Sequence, residues 1–103
     1  MMDIEKIREK ILRGDYRFTI HAAERSLERE INREEIEECI LNGEVIEHYQ
    51  EDKYSPSCLI YGKTKLSKHL HIQLSLTPII WIITVYEPNP EEWIDSKTRR
   101  KKS

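Results

Sequence analysis

Between residues 68 and 76 the chain alternates cleanly. Leu70, Ile72, Leu74 and Leu76 fall on one side, and His69, His71, Gln73 and Ser75 on the other. That period of two predicts a half-buried strand. The apolar run IIWIITVY (79–86), which follows Thr77-Pro78, predicts its antiparallel partner. An even-length loop pairs Leu70 with Val85, Ile72 with Ile83, Leu74 with Trp81 and Leu76 with Ile79, leaving one side of the hairpin wholly apolar. An odd-length loop would turn every residue of one strand over, so burial selects this register. On the opposite side His71 then faces Thr84, His69 faces Tyr86 and Gln73 faces Ile82. Upstream, EVIEHY (44–49) and SCLIYG (57–62) read as two more strands, joined by the polar loop QEDKYSPS.

The first 43 residues follow a helical spacing instead. Ile4, Ile7, Ile11 and Leu12 predict a first helix, with Asp3 as its cap and Gly14 as its stop. Thr19 is placed to cap a second helix that runs to about Glu30. One stripe of that helix, Ile20, Ala23 and Leu27 continuing to Ile31, is expected to face the core, while His21, Arg25 and Arg29 form a second, polar stripe. Asn32 with Glu35 three residues on has the form of a capping box and opens a third helix ending at Gly43. Ile36, Cys39 and Ile40 should point inward there, and Glu34, Glu35, Glu37 and Glu38 outward. The expected fold is α+β: two to three N-terminal helices packed on one face of a four-stranded, mainly antiparallel sheet.

Length and composition fit that picture. A chain of 103 residues with 38% hydrophobic content closes one core. Its net charge of −2 conceals an asymmetry, because residues 97–102 hold five of the 17 basic residues and none of the 19 acidic ones, leaving −7 for residues 1–96. We therefore expect one domain over 1–96 and a basic tail over 97–103, whose Arg99, Arg100 and Lys101 are candidates for following a phosphate backbone. No run approaches the ~20 apolar residues of a membrane span. The N-terminal stretch MMDIEKIREK lacks a signal-peptide core, so a cytoplasmic protein without a membrane partner is expected. Cys39 and Cys58 lack metal or redox spacing and read as inert thiols. His69-x-His71 with His48 or Glu47 has a spacing that zinc can use, but no HExxH or paired cysteines accompany it, and neither a metal nor a cofactor is expected.

Two polar groups remain: His21, Arg25 and Arg29 on a helix, and His69, His71, Thr84 and Tyr86 on a sheet face. Histidine moves protons near neutrality, arginine presents a fork that matches a phosphate, and tyrosine donates to phosphate or stacks on a base. Together they suit cleavage of an RNA phosphodiester without a metal, with one group taking the 2′-OH proton and another protonating the leaving oxygen.

These same residues carry a family resemblance. The series H-A-x-x-R-x-x-E-R at 21–29, E-E-I at 34–36, N-G-E-V-I-E-x-Y at 42–49, C-L-I-x-G at 58–62, L-H-I at 70–72 and T-V-Y-E-P at 84–88 resembles the prokaryotic family called domain of unknown function 4258, over about residues 15–95. That family is similar to toxins of the RelE and BrnT type. The resemblance implies a ribonuclease toxin of a toxin–antitoxin pair, acting on RNA that includes ribosome-bound mRNA and held by a small zinc-ribbon antitoxin. Carried over, it implies a catalytic set of His21, Arg25, His71, Thr84 and Tyr86, with Arg29 as an RNA contact; His69 lies outside the recurrent motif. A rival expectation, motivated by the acidic body, is a non-catalytic domain whose sheet edges and third helix dock a protein partner.

Overall fold

The computed structural model describes residues 4–51 and 55–101; Asp3, expected to cap the first helix, lies outside them. Helix α1 (Ile4–Leu12) buries Ile7 and Ile11, and Gly14 ends it with φ +71°. A left-handed residue in that place closes the last turn at no Cβ cost. Leu12, 72% exposed, points away from the core. Strand β1 (Arg17–Phe18) follows, then α2 (Ile20–Glu28), α3 (Arg33–Asn42) and strands β2 (Glu44–Tyr49), β3 (Ser57–Lys63), β4 (His69–Ser75) and β5 (Trp81–Tyr86). Two short strands, β6 (Trp93–Ile94) and β7 (Thr98–Arg99), close the described chain.

The fold is α+β, with three helices, but the sheet has five strands and is mixed: β1 pairs parallel with β5 in the order β1-β5-β4-β3-β2, and β6-β7 form a separate small sheet. Arg17 and Phe18, between the first helix's stop and the Thr19 cap, thus supply an edge strand. Two residues are too few for a visible alternation.

Asn32 and Glu35 form the expected capping box, each side chain accepting from the other residue's backbone N–H. Ile36, Cys39 and Ile40 are fully buried beneath it. Substituting Asn32→Ala should cost about 1 kcal/mol of stability, the usual loss at a good N-cap. Urea unfolding checks this: the midpoint should fall with an unchanged slope.

The α2 expectation is overturned. Thr19 is the N-cap, its hydroxyl oxygen accepting from Ala22 N at 3.0 Å, but the apolar stripe faces out. Ile20 and Leu27 are both 80% exposed, while Ala22 is buried, and Arg25 and Ser26 are half-buried. Thr19 explains the rotation. Its N–H donates to Ile82 O and its hydroxyl to Ile83 O, which fixes how α2 enters against β5. Small residues then face the strand, Ala22 joins the core, and of the expected stripe Ile31, beyond the helix, is the member that reaches it.

The β4–β5 hairpin also differs from its expected register. Each partner lies two residues further along β5, so that His71 faces Tyr86, Ile72 faces Val85 and Gln73 faces Thr84. A slip of two keeps each residue on its side. A bulge then puts Leu74 opposite Ile82, which turns the first half of β5 over. Ile80 and Ile82 are consequently buried, whereas Trp81 and Ile79 are 39% and 40% exposed. The Ser75 hydroxyl sits in the irregularity, accepting from Trp81 N and donating to Ile79 O.

The core lies between the helices and one sheet face, and gathers Ile36, Cys39 and Ile40 with Ile60, Leu70 and Ile72 among others. Both cysteines are free and buried, and burial pushes each thiol up to about 12.

Candidate active site

The sheet's other face carries the chemistry. Register places Glu47 of β2 opposite Leu59 of β3, which faces Gln73 of β4; Tyr61 of β3 faces His71, which faces Tyr86. Alternation puts all of these side chains on the side away from α3. Glu47 and His71 therefore stand two strands apart and two residues out of register, about 12 Å between backbones.

His71 is fully buried on this face. Its Nε2 lies 2.5 Å from Ser96 O and its Nδ1 3.2 Å from the Tyr86 hydroxyl. A carbonyl only accepts, so Nε2 carries a proton; in the neutral ring, which burial favours, Nδ1 accepts from Tyr86. The Trp93 and His71 rings meet edge to face with centroids 4.4 Å apart, and Tyr61 and Tyr86 pack around the same imidazole. Burial lowers the His71 pKa, against the opposing pull of the Ser96 carbonyl and the Glu47 charge.

For Glu47, burial works to raise the pKa, but hydrogen bonds from Arg99 and Tyr49 outweigh it and hold the carboxyl below its ordinary range. Arg99 is bidentate on it, Nη2–Oε1 at 3.0 Å and Nε–Oε2 at 3.3 Å, and the Tyr49 hydroxyl donates to Oε1. A cleft of about 470 Å³ lined by Tyr49, Glu51, Gln73 and Arg99 opens beside this group.

Acid should loosen the fold in two stages. The His71 pKa lies below its unfolded value of about 6.5, so the unfolded chain binds the extra proton and stability falls as the pH drops below that value. The Glu47 contribution is fully present above about 4.3 and is lost as the pH falls through its lower folded value. Urea midpoints measured from pH 7.5 to 3.5 should decline in both windows, and a His71→Gln variant should lose only the upper decline.

The other expected residues are spread more widely. His21 is exposed in the first turn of α2, and Arg25 pairs with Glu28 at 2.8 Å. Arg29 donates to Val85 O at 2.7 Å and shares with Tyr86 a smaller cleft of about 360 Å³, edged by Glu87 and Glu92. Thr84 is half-buried opposite Gln73. His69 leans on Tyr61, its Nδ1 2.6 Å from that hydroxyl. In the basic stretch, Lys97 pairs with Glu44, Arg99 with Glu47, and Arg100 Nε donates to Pro90 O, while Lys101 is exposed. Glu47, Tyr49 and Gln73 were not singled out as acid–base or phosphate-handling groups from the sequence. Their only signal was alternation within EVIEHY and HLHIQLS, and it cannot tell which strands become neighbours.

A second feature lies on the same side of β5. An apolar groove of about 830 Å³ runs between Phe18, Ile20, Pro78, Trp81 and Ile83. Among the described residues no three His, Cys, Asp or Glu side chains converge as metal ligands, and no helix is long and apolar enough to cross a membrane.

The class defined so far is a small α+β domain with a carboxylate, an imidazole and three tyrosines on one sheet face. Residues 18–87 match the model of DUF4258, a domain of unknown function, and the chain belongs to that family. No curated protein and no solved structure matches it.

Proposed function

We propose that this is a metal-independent, RNA-cleaving domain of the RelE/BrnT toxin type, with Glu47 as general base and His71 as general acid. The observation that carries the reading is the pairing of Glu47 and His71 on one sheet face, each influencing the other's ionisation. A carboxylate and an imidazole on one face supply the two proton carriers that a two-proton reaction needs. Glu47 takes the proton of a ribose 2′-OH, and the oxygen attacks the adjacent phosphorus. The bond to the 5′-oxygen breaks, and that oxygen leaves with a proton from the His71 imidazolium. The products are a 2′,3′-cyclic phosphate and a 5′-hydroxyl. Tyr49 orients the carboxylate and Tyr86 the imidazole, while Arg29 stands beside Tyr86 as a phosphate contact. Single-stranded RNA, including mRNA on the ribosome, is the proposed substrate, a small zinc-ribbon antitoxin the proposed partner, and the cytoplasm the proposed compartment.

The apolar groove favours a second reading, a non-catalytic domain that receives an amphipathic segment of a partner protein. Exposed Trp81 and Ile20 are among its apolar lining. Fluorescence anisotropy with a short labelled RNA separates the two. On the RNA reading, affinity falls by about tenfold or more between 50 and 200 mM salt, as a few neutralised phosphates require. An absence of salt-dependent RNA binding would move the assignment to the groove.

A further inference from the structure

Resting on that reading of the site, we propose that the hairpin of β6 and β7 is a displaceable cover, docked over Glu47 and His71 in place of substrate. Its two contacts with the acid–base pair are direct. The Ser96 carbonyl accepts a hydrogen bond from the Nε2–H of His71, the group that would otherwise face the leaving oxygen. The Arg99 guanidinium neutralises Glu47, the carboxylate that would otherwise accept from the 2′-OH. Trp93, only 2% exposed, seals the imidazole from solvent.

The way the hairpin is held makes it removable. Its strands are two residues each, joined by a tight turn in which Asp95 and Ser96 both take φ > 0 and Lys97 N donates to Ile94 O. A two-stranded ribbon of this size is marginal by itself. None of its residues belongs to the main core cluster, and the segment matching the family ends at Glu87, before the hairpin begins. Beyond Trp93 its side-chain anchors are mainly ionic: Arg99, 56% exposed, is bidentate on the half-buried Glu47, and Lys97 meets Glu44 with 45% and 57% exposure and lies over the Tyr61 ring. The exposed Lys97–Glu44 pair holds weakly, and salt screens it. The guanidinium of Arg99 lies over the Trp93 ring at 4.5 Å, so the ionic and aromatic anchors release together. An RNA backbone competes for the same cations that hold the cover down.

Opening also changes the acid. Docked, His71 is buried and neutral; exposed, it regains an ordinary imidazole pKa and can carry the proton the reaction needs. One movement therefore frees the base, the acid and two cations.

The test uses the full chain. Trp93 is made the sole tryptophan with Trp81→Phe, and its emission is followed in the parent, Arg99→Lys and Arg99→Ala. Modification of His71 by diethylpyrocarbonate is measured against exposed His21, His48 and His69 in the same molecules. The cover predicts a graded red shift and about tenfold faster His71 modification in Arg99→Ala, with Lys between. Trp93→Ala, read by modification alone, should match it. RNA cleavage should rise in step with opening. If Trp93 emission and His71 protection stay unchanged in variants that keep their far-ultraviolet circular dichroism, the hairpin is a fixed part of the fold and the proposal is overturned. Cleavage by the parent that falls as the hairpin opens would overturn it equally, by making Arg99 part of the working site. Opening with no cleavage in any variant supports the cover and removes the ribonuclease reading.

Discussion

Replacing Gly62 by alanine is expected to lower the melting temperature by roughly 10–20 °C, from a loss of about 2–3 kcal/mol. Gly62 lies in β3 where α3 crosses it, and a Cβ there would stand 2.4 Å from Cys39 O and 2.6 Å from Cys39 Cα. Backbone on both sides cannot yield as a side-chain tip can. Relief requires α3 to lift from the sheet, which opens contacts around Ile36, Cys39 and Ile40, all fully buried. Gly14 is the contrast. It has φ +71° with nothing within 4 Å of a Cβ, so alanine there should cost only about 1 kcal/mol of backbone strain. Thermal melts of the two variants separate a close approach from a conformational preference. Equal shifts would mean that α3 is not seated on Gly62.

Glu47→Gln is expected to reduce RNA cleavage by about 10²- to 10⁴-fold, the usual worth of a positioned general base. The amide keeps the shape of the carboxylate and cannot accept the proton. The same change removes the charge that holds Arg99, so the hairpin over His71 should open further. The variant is thus expected to be more open and less active. That combination separates the base from the cover, because mere loosening would raise cleavage. Single-turnover rates with diethylpyrocarbonate modification of His71 measure both. Cleavage equal to the parent would remove Glu47 from the mechanism.

Much of the architecture was legible along the chain, and the exceptions have physical causes. The capping box at Asn32 and Glu35 is a local signal and is found as expected. The alternation of β4 likewise put Leu70, Ile72 and Leu74 into the core. For α2 the apolar stripe misled, because apolar residues also furnish surface, and the helix's rotation is set by Thr19 on β5, more than 60 positions away. Nothing in IIWIITVY marks the bulge that turns Trp81 out and Ile82 in. The hairpin turn at Asp95 and Ser96 lacks the glycine that usually signals such a turn, so the basic stretch gave no hint of a strand.

The site divides in the same way. His71 and Tyr86 were named from the alternation, and they do meet. Glu47 escaped because a carboxylate in a polar strand reads as ordinary surface. Only the order β5-β4-β3-β2 shows that it shares a face with His71.

The most direct test of the Glu47–His71 pair is incubation of a short 5′-labelled RNA in EDTA with the parent and with Arg99→Ala, followed by analysis of the fragment ends. The predicted result is cleavage by both, faster with the open variant, leaving 2′,3′-cyclic phosphate and 5′-hydroxyl ends. Intact RNA in both reactions, or fragments ending in a 3′-hydroxyl, would contradict it.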